Sequence, residues 1–391
     1  MSATDDPPVR AERALRDSPP HALLDVLRAA LQADFGATDS ELLLADYRLS
    51  VLQPVTRLPH TAAPMPIRTS TAGRAFTAQQ TLLEPVHGDG VTAYLPVAVR
   101  GDRLGVLAVT LPDVPGDGAR RALADLATAL GHELVVAERD TDLYLQARRR
   151  ERLSLAAEMQ WQLLPGRGCS RDEYSLGGQL EPAYTIGGDN FDWSASADHL
   201  TVTVSNGMGS GIRAALLTNL AISALRNARR AGLGLVDQAC LADQAVYAQY
   251  GGAEHVATLL LRFELSTGRV AVVDAGSPHL LRLRDGEVQL VPFEEQMPLG
   301  MFESTDYQEQ DFQVEPGDRL VVVSDGVHTA RSPSGGEYGA TNLDRIIRDS
   351  RYLPAPEAAR AIITELLDYH EGNDLLDDAV VVCLDWTGAK A

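Results

Sequence analysis

Between Leu200 and Leu217 the chain reads LTVTVSNGMGSGIRAALL. Apolar residues alternate up to Asn206, glycines then crowd the turn, and an Ala/Leu-rich run at helical spacing follows. A strand that turns through glycines into a helix brings its backbone close to a phosphate or a metal. What comes next limits the folds that can use it. A dinucleotide-binding fold needs another parallel strand and an acidic residue about 20 positions on. Here a second helical pattern follows, at about Val236 to Tyr250. The chain holds no Gly-Lys-Ser/Thr, and its one lysine is Lys390, so a Walker loop is excluded.

The surrounding pattern narrows the fold class. Short strands with Gly/Asp turns run from about Leu176 to Val204, and helices from about Gly211 to Arg230 and Val236 to Tyr250. Strands return across His255 to Ser324. Helical spacing covers Leu343–Arg348 and Glu357–Tyr369, and AVVVCLDW closes as a strand. This is not the β-α alternation of a parallel sheet. It predicts an α+β sandwich of paired antiparallel sheets with helices outside.

At 391 residues the chain is long enough for two domains. Residues 1–20 are polar and proline-rich and read as a disordered tail. Residues 21–138 alternate helix, strand, helix, two strands and helix, with a hairpin signal at Arg100-Gly101-Asp102. Helical pattern continues to a stop at Pro165, so 139–165 reads as a connecting helix that pairs in a homodimer or stands as a solvated spacer. Gln160 interrupts its apolar face. Residues 166–391 form the second domain.

The net charge of -20 opposes binding to nucleic acid. Cys169, Cys240 and Cys383 are far apart, which argues against a zinc site or a disulfide framework and suits a reducing cytoplasm. No apolar run approaches the ~18 residues of a membrane span, and MSATDDPPVRAE has no apolar core of a signal peptide. The arginine- and alanine-rich composition points to a bacterial source.

Several carboxylates sit at predicted strand ends: Asp189 and Asp192 in TIGGDNFDW, Asp325 in LVVVSDGV, and Asp377 and Asp378 in NDLLDDAVVV. Singly, each is an ordinary turn residue. Together, beside glycines that leave room for water, they suit a hard divalent cation.

Residues from about 174 to 387 resemble the metal-dependent PPM-type serine/threonine protein phosphatases of the SpoIIE/RsbU-like branch. The resemblance is carried, in family order, by AAEMQWQLLP, EPAYTIGGDNFDW, VSNGMGSGIRAALL, DAGSPHLL, PLGM, VEPGDRLVVVSDGV and DDAVVV. It implies an α-β-β-α sandwich and a centre of two Mn²⁺ or Mg²⁺ ions. Asp189 would help hold one metal and Asp325 and Asp377 the other, with the Gly207 backbone carbonyl contributing too. Asp378 neighbours the matched ligand and could substitute for it. In this branch the usual substrates are phosphorylated STAS-type anti-anti-sigma proteins. Residues 21–138 resemble a GAF sensor domain through GRAF and YLPVAVRGDRLGVLAV, which implies a small ligand or none. A covalent bilin is excluded there because the first cysteine is Cys169.

Two positions depart from the family. Asn206 stands where an aspartate normally bridges both metals, and an amide has one good oxygen donor and one less negative charge. Ser277 stands where histidine usually follows Ala-Gly, with His279 two residues on. Three readings follow: an active phosphatase under sensor control, a pseudophosphatase that binds without turnover, or a chain carrying an introduced Asp→Asn change. Asn206 also precedes Gly207, a pairing prone to deamidation, which would restore an aspartate.

Overall fold

In the computed structural model the described residues are 7–55, 64–86, 90–149, 153–183, 186–276, 278–332, 335–371 and 373–389. They divide into two compact units, Met1–Arg152 and Leu153–Ala391.

The first unit runs α1 (Pro7–Asp17), α2 (Leu23–Phe35), β1 (Asp39–Ala45), β2 (Val51–Pro54), β3 (Met65–Pro66), α3 (Thr71–Ala78), β4 (Leu82–Pro85), β5 (Val91–Val99), β6 (Asp102–Leu111), α4 (Asp117–Ala137) and α5 (Leu143–Ala147). Its strands form one antiparallel sheet in the order β3-β2-β1-β6-β5-β4. Alternation along β1 sends Leu42 and Leu44 into a core with α1, α2 and α4, and Leu43 and Ala45 into a second core with α3. The β5–β6 turn places Arg100 at φ 53° and Gly101 at φ 96°. This is the positive-φ pair that a twisted two-residue hairpin needs.

Two expectations fail here. The proposed disordered tail contains α1, whose Ala11 and Leu15 are buried with α2 and α4. Prolines in a first helical turn remove no intrahelical hydrogen bond, so Pro7 and Pro8 start the helix rather than forbid it. The connecting helix 139–165 is not continuous. α4 ends at Ala137, and Arg139 and Asp140 N–H groups close onto Val136 and Ala137 carbonyls in tight turns. The run Asp140-Thr141-Asp142 supplies side chains that compete with a helical backbone, and the Thr141 hydroxyl accepts from Leu143 N–H at 3.3 Å.

The second unit starts with α6 (Leu155–Leu163), whose Ser154 side chain caps Ala157 N–H at 3.2 Å. It continues β7 (Gly168–Ser170), β8 (Tyr174–Glu181), β9 (Asn190–Ala195), β10 (His199–Gly207), α7 (Gly211–Arg230), α8 (Leu235–Tyr250), β11 (Val256–Glu264), β12 (Arg269–Ala275), β13 (His279–Arg284) and β14 (Glu287–Leu290). Then come β15 (Gln310–Gln313), β16 (Arg319–Val323), α9 (Asp325–His328), α10 (Tyr338–Thr341), α11 (Leu343–Asp349), α12 (Ala355–Tyr369) and β17 (Ala379–Trp386).

Two antiparallel sheets result, β15-β12-β11-β10-β9 and β14-β13-β16-β17-β8-β7. They meet face to face: a Cβ on Gly178 of β8 would lie 2.5 Å from the Phe191 ring of β9, and Phe263 stacks on Trp386 at 6.2 Å. Helices α7 and α8 cover the first sheet through Ile222, Leu225, Leu235 and Ala239. Helices α11 and α12 cover the second through Leu343, Ile347, Ile362 and Leu366. The layering is α-β-β-α, and the fold is mixed α+β.

The α1 finding has a direct check. Leu15 is 1% exposed, so Leu15→Ala is expected to cost about 2–5 kcal/mol in urea unfolding. A disordered tail would give no change.

Candidate active site

Three chain segments converge where the two sheets approach, and glycines make the approach possible. The loop before β9 lies against the end of β10. Gly207 N–H donates to the Gly188 carbonyl at 3.1 Å, and the Thr218 hydroxyl of α7 donates to the same oxygen at 2.6 Å. A Cβ on Gly188 would sit 2.6 Å from the Gly207 carbonyl oxygen, and one on Gly187 would sit 2.6 Å from Asp377 Oδ1. On the other sheet, a Cβ on Gly326 would fall 1.9 Å from the Asp378 carbonyl oxygen. These glycines are required by space, since each side of the contact is backbone or a carboxylate.

The result is a cleft of about 350 Å³ lined by Asn206, Gly207, Met208, His255, Glu295, Asp325 and Asp377, among others. Asp325 opens α9 immediately after β16, with its Oδ1 accepting from Gly326 N–H at 2.8 Å. Asn206 Nδ2 donates to that same Oδ1 in a short hydrogen bond. Asp377 opens to solvent in the cleft, and its Oδ1 accepts from Asp378 N–H at 2.8 Å.

Asp189 lies fully buried and does not line the cleft. Neither of its carboxylate oxygens meets a donor in good hydrogen-bond geometry, the Ser324 hydroxyl being the nearest help, and the Asn190 amide beside it is likewise orphaned. Burial pushes the Asp189 carboxyl well above the usual range, and repulsion from Asp378 adds to it, while the Ser324 hydroxyl opposes the rise. Partial desolvation and the neighbouring Asp325 push Asp377 up to about 6.

Asp378 has a different occupation. Its Oδ1 accepts from Ala183 N–H at 2.8 Å and its Oδ2 from Gln160 Nε2 at 2.6 Å. Burial raises it, and these donors offset part of the rise. Both oxygens are engaged in holding the fold, so the structure gives no support to Asp378 as a substitute ligand. Asp192 is also structural. It is buried, with Arg226 reaching it at 2.8 Å and Arg229 at 3.0 Å. Ser277 lies outside the described residues. His279 stacks on His328 with ring centroids 3.8 Å apart, and burial lowers its pKa against the pull of Glu295 and Asp325.

Sequence reasoning missed Gln160. The amide that seemed to interrupt an apolar face spans Asp378 Oδ2 and, at 2.9 Å, the Asp189 carbonyl. Its signal was there: a polar residue inside an otherwise apolar helix face needs a partner.

The donor chemistry can be tested against a divalent cation. Orphaned, crowded carboxylates are what such an ion would relieve. Asp189, Asp325 and Asp377 supply that charge. The bridged metal pair does not fit, because the bridging position presents an amide whose nitrogen is turned to Asp325. Among the described residues, no group of three or more His, Cys, Asp or Glu side chains already converges as a chelate.

A family model described as "Stage II sporulation protein E (SpoIIE)" matches residues 196–387. Phosphoserine phosphatase RsbU of Bacillus subtilis (strain 168) is 20% identical over 280 residues, covering 71% of this chain and 83% of RsbU. Phosphoserine phosphatase RsbP of the same organism is 23% identical over 219 residues, covering 55% of this chain and 53% of RsbP. A solved structure of the PP2C phosphatase domain and a regulatory fragment of Bacillus subtilis SpoIIE has a TM-score of 0.49 at 16% identity, covering 81% of this chain and 86% of that chain. The chain carries a PPM-type phosphatase domain. Within that class, residues 196–387 form a SpoIIE-type domain, similar to those of RsbU and RsbP. Among the described residues no helix is long and apolar enough to cross a membrane.

Two measurements follow. Gln160→Ala strips a donor from buried Asp378 and is expected to destabilise the chain by about 1–3 kcal/mol in urea unfolding. A negligible loss would show that water replaces the amide. The deamidation expectation is corrected by the fold. Succinimide formation needs Gly207 nitrogen to attack the Asn206 side chain, but that N–H is bonded to Gly188 and Asn206 lies in β10. Peptide mass analysis after mildly alkaline incubation should show a gain at Asn206 in unfolded chain and none in folded chain.

Proposed function

We propose that this chain is a metal-dependent phosphoserine/phosphothreonine protein phosphatase acting on a phosphorylated STAS-type anti-anti-sigma protein. Its first unit is a GAF-like sensor with room for a small ligand, and the chain works as a cytoplasmic homodimer. The carrying observation is the cleft itself. Asn206, Gly207, Asp325 and Asp377 line it, and the orphaned Asp189 carboxylate lies buried at the same junction.

When bound, Mn²⁺ or Mg²⁺ supplies positive charge that makes water more acidic and offsets charge on the phosphoryl group. Asp189, Asp325, Asp377 and the Gly207 carbonyl are the groups that would hold it. The chain's own residues set the rest. Gly187 and Gly188 keep the walls close, Gln160 fixes the backbone of Asp189, and a cleft of about 350 Å³ has room for a phosphorylated side chain. Asn206 works against ligation. While its amide bonds Asp325 Oδ1, that oxygen is shared with a hydrogen-bond donor.

That bond also supports a second reading, a pseudophosphatase that binds a regulatory partner without turnover. Phosphate release from a phosphoserine peptide with Mn²⁺ separates the two. Asn206→Asp is expected to raise the rate at least about 10-fold, since one displaced group at the chemistry removes several kcal/mol. Titration calorimetry should find fewer tight metal sites in the parent than in the variant. Equal and robust rates would refute this account of Asn206.

A further inference from the structure

The cleft contains a side chain that the carboxylate set does not use. His255 precedes β11, and its carbonyl accepts from Met208 N–H at 3.1 Å, which extends the β10–β11 ladder by one pair. The register sets Asn206 opposite Ala257 and Gly207 opposite Val256. Directly paired residues share a face, and faces alternate along a strand. Val256 is buried in the core beneath α7 and α8 with Leu217, Ala221 and Val246. Ala257 faces the other way, toward the cleft, where a Cβ on Gly276 would lie 3.7 Å from the Ala257 Cβ. Two residues back, His255 therefore shares the face of Ala257 and Asn206. Diagonal neighbours across such a ladder stand roughly 7 Å apart, within the reach of an imidazole.

Hydrolysis of a phosphoserine needs more than an activated water. As the water oxygen bonds to phosphorus, the bond from phosphorus to the serine Oγ breaks and its electron pair stays on Oγ. A serine alkoxide is a poor leaving group unless a proton arrives with the charge. The carboxylates around Asp325 and Asp377 suit the water's side of the reaction, where a proton must be accepted. His255 lines the same cleft and is partly exposed, so a proton it gives up can be recovered from solvent. Imidazole is the side chain most often used for such transfer.

We propose that His255 is the catalytic proton donor to the departing serine or threonine oxygen. The proposal rests on the phosphatase reading. The water's proton leaves to the carboxylate side, His255 gives its proton to Oγ, and solvent restores it, so the net reaction is water plus phosphoester to alcohol plus phosphate.

The test compares two substrates with the full chain and Mn²⁺. A phosphoserine peptide has a leaving group that needs protonation, and p-nitrophenyl phosphate has one that does not. His255→Gln should lower kcat on the peptide by about 100-fold while changing p-nitrophenyl phosphate turnover less than about threefold. Because the readout is a ratio within one preparation, partial loss of folded protein cancels, and His255→Asn gives a second variant. Equal loss on both substrates, or none on either, would overturn the proposal. If the parent turns over neither ester, the comparison is made in the Asn206→Asp background. If that is inert too, the phosphatase reading fails, and the role of His255 with it. Activity with an unchanged ratio rejects His255 alone.

Discussion

The close approach of backbone at Gly187, Gly188 and Gly207 is the constraint on which the rest of the second unit depends. It joins the loop before β9 to the end of β10, and it sets that junction against Asp377 and Asp378 ahead of β17. A single added methyl at Gly188 would meet a carbonyl oxygen and a hydroxyl at once. The approach concentrates carboxylates that repel one another and cannot all be solvated. Three are steadied by protein donors, Asp377 among them through Asp378 N–H. Asp378 takes Ala183 N–H and the Gln160 amide, while Asp325 takes Gly326 N–H and Asn206. Asp189 has only the nearby Ser324 hydroxyl to ease it, and its largely unmet charge is the physical reason to expect a cation.

Asn206 changes the balance of that site. An amide in place of a carboxylate lowers the repulsion between Asp325 and its neighbours, since the Nδ2 proton does locally what a cation would do. The same bond removes a bridging acceptor. The amide therefore trades metal affinity against internal charge balance of the cleft, and both phosphatase and binding-protein readings turn on this one contact.

Much of the fold was legible in sequence because the signals were local. Alternation in β10, the Arg100-Gly101 hairpin and the helical spacing of α7, α8 and α12 all appear where expected. The misses share a cause. Proline enrichment near the N-terminus suggested disorder, but Ala11 and Leu15 find burial with α2 and α4. Unbroken helical pattern suggested one connecting helix, but Asp140-Thr141-Asp142 turns the chain, and α6 packs in the second unit. Gln160 looked like a flaw in an apolar face and is a clamp on Asp189 and Asp378.

By itself, the order of strands, glycines and strand-end aspartates determined the class of fold and the residues worth watching, because periodicity and turn chemistry are properties of neighbouring residues. Only the tertiary structure could sort those aspartates. Asp192 went to Arg226 and Arg229, Asp378 to the fold, Asp325 and Asp377 to the cleft lining, and Asp189 to a buried place within electrostatic reach of both. Partners distant in sequence decide what a carboxylate does. The sheet register added His255 to the cleft face for the same reason, since only pairing across β10 and β11 says which way that side chain turns.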